Sequence, residues 1–489
     1  MITTATLDKE ARDKMLETLS IQNFKAFSSW QDMALAPITL IYGPNSSGKS
    51  SIIHSIMLLK QSITRPSVQG GLVSNGDYVD LGEYSSMVHG HIVANSMSFK
   101  FSYKPVKKQI YSDIPEFSTF GTSRWKEYEL EYRYSEGSGG YKGFSYLSSM
   151  MVSVRNEGSD ELIFSTALAS ELSRRSEPDL AGNLAAAKKF NFKDRAAWHS
   201  ARTYVERRAR TGTRPIEIDK ILDRASFRSD LNYSTPSMAI VEGKPKDDTS
   251  FQSVLHLNFA FADLAKDLKD KFNSITYLGP LRSHPSRFYA PKVDQSESVG
   301  KQGEFVAKYL YESSGVTEKI NDWFGLFEVP YELSAVDIGS EVTGPVISLQ
   351  LEDKRTGVKV GPSDVGFGIG QMLPIIVEGI VRNDSVICVE QPEIHLHPRL
   401  QAHLANFFAS TCAKNQWIIE THSESLMLRL QSMIARKEIS HDKIAILYVE
   451  PTSKGGEIIS IRLDKDGDFI DAWPEGFFEE RLKEKLGIM

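Results

Sequence analysis

Residues 41–51 read IYGPNSSGKSS, an apolar strand that runs directly into Gly43, four intervening residues, then Gly48, Lys49 and Ser50. This pattern is a phosphate-binding loop. Gly43 and Gly48 allow the tight turn that aims backbone N–H groups at phosphate oxygens. Asn45, Ser46, Ser47 and Ser51 flank that cradle, Lys49 neutralises the β and γ phosphates, and Ser50 places a hydroxyl on Mg2+. The flanks supply the required context: PITLIY predicts a buried strand, and SSIIHSIMLLKQ predicts an amphipathic helix whose N-terminus faces the anion. A chain built on this unit is expected to be α/β and to bind ATP with Mg2+.

A phosphate loop alone leaves half of a nucleotide uncontacted. The complementary signals come more than 300 residues later. Residues 385–390, SVICVE, form a short apolar strand ending on Glu390, which is followed by Gln391, Pro392 and Glu393. Such a strand delivers a carboxylate rigidly to the rim of a parallel sheet, where ligands bind. Glu390 is therefore expected to hold Mg2+, directly or through water. Residues 417–423, WIIETHS, are a second strand with His422 at its polar end, able to donate to the γ-phosphate. Between phosphate loop and acid strand lies SDVGFGIGQMLP. Its Gly366, Gly368, Gly370 and Gln371 open an apolar helix, a second anion site that is redundant within one subunit unless it covers a nucleotide bound to another.

Taken together, LSIQNFKAF, GPNSSGKSS, ITYLGPLRSHPSRFY, DVGFGIGQMLP, VICVEQPEIHLHP and IIETHSE resemble the ABC-type ATPase heads of the RecF, Rad50 and SMC group, most closely the bacterial OLD-like ATPases. The resemblance spans residues 16–90 and about 270–489. It implies an ABC-type P-loop ATPase head with a mixed α+β lid insertion and no long coiled coil. It also implies a signature loop at Gly366–Gln371 acting in trans, Glu390 as the Walker B acid, His422 as the switch histidine, and Lys25 near the adenine. The expected partition is an N-terminal part of the head at 1–95, a lid at 96–270, and the remainder of the head at 271–489.

This chain departs from the pattern at Gln391, where the family usually carries the glutamate that polarises the attacking water. Glutamine cannot accept a proton. Either hydrolysis is slow and ATP binding is the switch, or Glu393, fixed by Pro392, takes over as base. The signature also lacks its common serine near Gly368 and Gly370.

The inserted segment shows no sustained heptads. Residues 92–155 alternate apolar and polar as antiparallel strands do, and a helical pattern is predicted from about 160 to 230 and again over 255–273. Twelve Lys and Arg stand against five Asp and Glu between Lys188 and Arg228, in a chain whose net charge is −6. Phe190, Phe192, Trp198 and Tyr204 interleave with them. The stretch reads either as a nucleic-acid surface for DNA or RNA or as a solvated helix face. His395, His397 and His403 lack ligands at zinc spacing and read as the turn into the helix PRLQAHLANFF. Asp464, Asp466 and Asp468 read as an ordinary turn rather than a nuclease centre, and fewer residues follow than a Toprim domain needs.

Cys388 and Cys412 build no disulfide framework, no apolar run approaches a membrane span, and the start lacks a signal core. The expectation is a cytoplasmic ATP-sandwich dimer, or a higher even oligomer, without membrane association. By resemblance to PtuA-like ATPases of Septu anti-phage systems, it is expected to work with a nuclease partner encoded nearby. A RecF-like DNA repair or clamp ATPase is the alternative.

Overall fold

The computed structural model describes residues 16–65, 71–104, 127–137, 139, 142–156, 159–168, 187–188, 225–227, 238–240, 266–290 and 298–474. The organising element is a six-stranded sheet in the order β11-β15-β16-β3-β17-β18. Its members are β3 (Ile38–Tyr42), β11 (Ile275–Leu278), β15 (Val386–Glu390), β16 (Gln416–Glu420), β17 (Ile444–Thr452) and β18 (Gly455–Ile461). The first five run parallel, and β18 returns antiparallel to β17.

Every residue of β3, β11, β15 and β16 is buried, which is why these strands read as continuous apolar runs. Alternation divides their side chains between two cores. Ile41, Cys388 and Ile418 pack with the phosphate-loop helix α1 (Lys49–Thr64). Tyr42, Val389, Trp417 and Ile419 pack on the opposite face with α4 (Phe367–Val381), α5 (Pro398–Thr411) and α6 (Glu424–Ala435). The smaller helices α2 (Val306–Glu312) and α3 (Ser314–Leu326) contribute to this second core, with a three-stranded sheet of β12 (Tyr331–Asp337), β13 (Ile347–Asp353) and β14 (Lys359–Val360).

Helix α1 is covered on its far side by a seven-stranded sheet, β2-β1-β4-β5-β6-β7-β8. These are β1 (Leu16–Gln22), β2 (Gln31–Ala34), β4 (Met97–Tyr103), β5 (Glu127–Glu136), β6 (Ser145–Asn156), β7 (Ser159–Leu168) and β8 (Ala187–Lys188). The strands predicted for the insertion therefore do not stand apart, since β4 pairs directly with β1 and extends the sheet of the head. Gln416 staples the two sheets, its amide exchanging hydrogen bonds with the backbone of Leu16 at 2.9 and 2.8 Å.

One local expectation is corrected. Residues 159–168 form β7, antiparallel to β6, where a helical pattern was predicted from about 160. Leu162, Phe164, Thr166 and Leu168 recur at period two, and a hairpin partner is already in place. Short strands β9 (Ala225–Phe227) and β10 (Met238–Ile240) pair with each other. Most of the basic stretch from Lys188 to Arg228 lies outside the described residues, as do residues 1–15. Of the helix predicted over 255–273, residues 266–273 are helical and the earlier ones lie outside the description.

Candidate nucleotide site

The phosphate loop leaves the carboxyl end of β3 between its neighbours β16 and β17. Its backbone is left-handed at Gly43 (φ 145°), Ser46 (φ 62°) and Gly48 (φ 107°). At Gly43 a Cβ would stand 2.5 Å from the Val449 carbonyl oxygen, and at Gly48 it would collide with Ala26 Cβ. Both positions therefore demand glycine. Pro44, Asn45 and Ser46 are exposed along the outer rim, whereas Ser47, Lys49 and Ser51 are buried.

The Lys49 ammonium donates to the carbonyls of Gly43 (3.0 Å) and Pro44 (2.8 Å). Burial lowers its pKa, while the carboxylates of Glu420 and Glu393 act in the opposite direction. Ser47 Oγ is buried with no hydrogen-bond partner. An orphan hydroxyl beside a glycine-shaped anion cradle fits a phosphate group.

Lys25 sits in a left-handed turn (φ 48°), with its backbone held by Met87 and His89. Its ammonium pKa is lowered by burial. The adjoining Ala26 is the residue that a Cβ at Gly48 would meet, so the Lys25 turn abuts the phosphate loop. The β17–β18 hairpin reaches the same place, where Gly456 N–H donates to the Ala26 carbonyl at 2.7 Å.

The acid strand delivers Glu390 to the α1 side of the sheet, because Val386, Cys388 and Glu390 alternate onto that face. Its Oε1 accepts from the Tyr277 hydroxyl of β11 at 2.8 Å and lies 3.4 Å from His54 Nε2 of α1. On the neighbouring strand, by the same alternation, stands Glu420, paired Cα to Cα with Glu390. No short motif marks it in the sequence. Its carboxyl is pushed up to about 7 by burial and by the Glu390 carboxylate, with Ser50, Lys49 and His54 acting to lower it. Glu420 Oε2 is buried without a hydrogen-bond partner. Ser50, Glu390 and Glu420 thus form an all-oxygen donor set suited to Mg2+, which when bound offsets charge on the phosphates.

Gln391 occupies a left-handed conformation (φ 46°); its N–H donates to the Glu420 carbonyl at 2.7 Å. Glu393 is engaged on both oxygens, by the Thr421 hydroxyl and by His422 N–H, each at 2.7 Å. Burial raises its pKa and these two donors act against the rise. Glu393 therefore pins the loop that follows β16. His422, half-buried beside Lys49, has its imidazole pKa lowered by burial and then by the Lys49 charge, which favours the neutral ring.

Arg282, inside the stretch LGPLRSH, joins these parts. Its guanidinium donates to the Gln391 carbonyl (3.1 Å) and the Glu390 carbonyl (2.6 Å). Its own carbonyl accepts from the Gln371 side chain of α4 at 3.4 Å. Of the predicted signature residues, Gly366 caps α4 and is exposed, and Gly368 is partly exposed. Gly370 and Gln371 are buried, Gly370 against Pro285.

The later histidines and aspartates have structural partners. His397 caps α5, accepting from Arg399 N–H, and His403 packs against Phe327 with ring centroids 5.7 Å apart. Asp464 Oδ1 accepts the N–H groups of Asp466 and Asp468, closing a turn. No helix among the described residues is long and apolar enough to cross a membrane.

Residues 15–221 and 251–427 match the AAA ATPase domain family (AAA_15). Residues 439–487 match a family described as a protein of unknown function (DUF3696). No curated protein matches. Among solved structures the chain is similar to an Smc head bound to the C-winged helix domain of ScpA, at 11% identity and TM-score 0.40, covering 92% of this chain and 98% of that one. An SMC head domain from Thermotoga maritima aligns at 12% identity and TM-score 0.37, with 92% and 99% covered. An Smc head domain from Pyrococcus yayanosii aligns at 10% identity and TM-score 0.40, with 96% and 99% covered. With the phosphate loop and the strand ends that carry Glu390 and Glu420 meeting at the carboxyl end of one sheet and most of its length matched, the chain belongs to the AAA ATPase domain family.

Proposed function

We propose that this protein is an ATP-gated switch that closes as a dimer around ATP and controls a separate effector. In this reading Gly43 to Ser51 cradle the phosphates, Lys25 lies by the adenine, Ser50 and Glu390 hold Mg2+, and His422 contacts the γ-phosphate. The observation that carries it is the convergence of Lys49, Glu390 and His422 at the carboxyl ends of β3, β15 and β16, which are neighbours in one sheet. Gly366 and Gly368, at the exposed start of α4, are the part of the signature stretch that faces a second chain. Buried Gly370 and Gln371 support it from behind.

Turnover is slow. Gln391 cannot take a proton, and Glu393 is committed to Thr421 and His422. A slow ATPase suits control of a partner better than processive work. The effector is a nuclease in anti-phage defence; what supports this is the likeness of the motifs to those of defence ATPases.

The test is the mass and composition of the complex recovered with the tagged protein, expressed with its neighbouring genes, in ATP and Mg2+. An even-numbered assembly carrying a nuclease-like chain, and altered in Lys49→Ala, is expected. A bare dimer carrying only nucleic acid would replace the effector reading with a repair or clamp role, and a monomer without partners would overturn both.

A further inference from the structure

We propose that Glu420 is a second carboxylate ligand of the divalent cation, so that Ser50, Glu390 and Glu420 take up Mg2+ or Mn2+ before nucleotide arrives. The proposal rests on the nucleotide-site reading and extends it to a residue which that reading does not need.

Topology places the pair. Glu390 and Glu420 end adjacent parallel strands in direct register, and neighbouring strands lie about 4.8 Å apart. Alternation turns both side chains to the α1 face, where Ser50 lies in the first turn of the helix. The geometry also leaves an unmet demand. Glu420 is 4% exposed; the Ser50 hydroxyl bonds its carboxyl, but its Oε2 has no hydrogen-bond partner, so one buried acid oxygen is left unmet.

Apart from Ser50, the neighbouring donors are committed elsewhere. Lys49 donates to the carbonyls of Gly43 and Pro44, and Tyr277 donates to Glu390 Oε1, with His54 beside it. Two adjacent buried carboxylates repel unless a proton or a cation lies between them. The donor set is oxygen throughout, which selects a hard cation such as Mg2+ or Mn2+ over a soft one. Tyr277 and His54 then act from the second layer, orienting Glu390.

The test is a titration of the nucleotide-free full chain with Mn2+, following free Mn2+ by electron paramagnetic resonance. The wild type is expected to bind one Mn2+ that excess Mg2+ displaces. Glu420→Gln should weaken that binding by about tenfold or more while keeping ATP affinity measured without divalent cation. Lys49→Ala is expected to lose ATP yet retain Mn2+, which separates failure of the cation site from failure of the nucleotide site. A wild type that binds no Mn2+ without nucleotide would overturn the proposal. So would a folded Glu420→Gln with wild-type Mn2+ affinity, the outcome expected of a proton acceptor that touches no metal. If circular dichroism shows Glu420→Gln to be misfolded, the wild type decides alone: stoichiometric Mn2+ should broaden the His54 ring resonances, and unbroadened signals would refute the site.

Discussion

At the residue scale the site is defined by which groups have partners. Glu393 has both oxygens occupied, and Gln391 stands where the resemblance to ABC-type heads places the base. Gln391→Glu is therefore expected to raise the rate of ATP hydrolysis by about tenfold or more, within the range for general-base catalysis. An unchanged single-turnover rate would show that the missing base is not what limits it. His422 gives a second expectation with a definite sign. Burial and the Lys49 charge hold its pKa below the ordinary 6.5, so the folded chain binds this proton less readily than the unfolded one. Its contribution to stability is complete above pH 6.5 and is lost as pH falls through the depressed folded value. An NMR titration of the ring should show a midpoint below 6.5; a midpoint at or above it would contradict the arrangement. Lys49, Ser50, Glu390 and His422 were legible in the sequence as candidates because each sits in a short motif with its own chemistry. Glu420 was not, although WIIE ends on an acid just as VICVE does. What the sequence does not display is that the two strands are neighbours in register, and only adjacency makes two separate acids a pair.

At the element scale, Arg282 joins the turn after β15 to helix α4, because one guanidinium holds two successive carbonyls while its own carbonyl holds Gln371. A lysine supplies charge without the planar fork. Arg282→Lys is thus expected to lower turnover by about tenfold while changing ATP affinity by less than about threefold, since a misplacement of roughly 1 Å costs rate more than binding. Equal losses in both, measured by stopped-flow turnover and equilibrium binding, would assign Arg282 to general stability instead. The same scale shows where pattern reading succeeds and fails. Runs such as VICVE and WIIE announce buried parallel strands because both faces of the sheet are covered. The pattern from about 160 reads as helical because a short mixed run carries both periods weakly. Pairing with β6 decides it.

At the scale of the whole molecule, two sheets enclose α1, and the nucleotide elements come from segments more than 300 residues apart that meet at one edge of the central sheet. The split was visible in the order of the motifs. The continuity of the inserted strands with the sheet of the head was not, because pairing of β4 with β1 is a long-range contact that leaves no local mark. The proposed function turns on ATP bound at Lys49 closing two chains on each other. Its most direct test is sedimentation equilibrium of the full chain with and without ATP and Mg2+, with bound nucleotide counted, for the wild type and Lys49→Ala. ATP is expected to shift the wild type to an even-numbered assembly with one nucleotide per chain. Lys49→Ala is expected to bind ATP at least about a hundredfold more weakly and not to shift. ATP binding with no change in mass would contradict the sandwich, and wild-type affinity in Lys49→Ala would contradict the site itself.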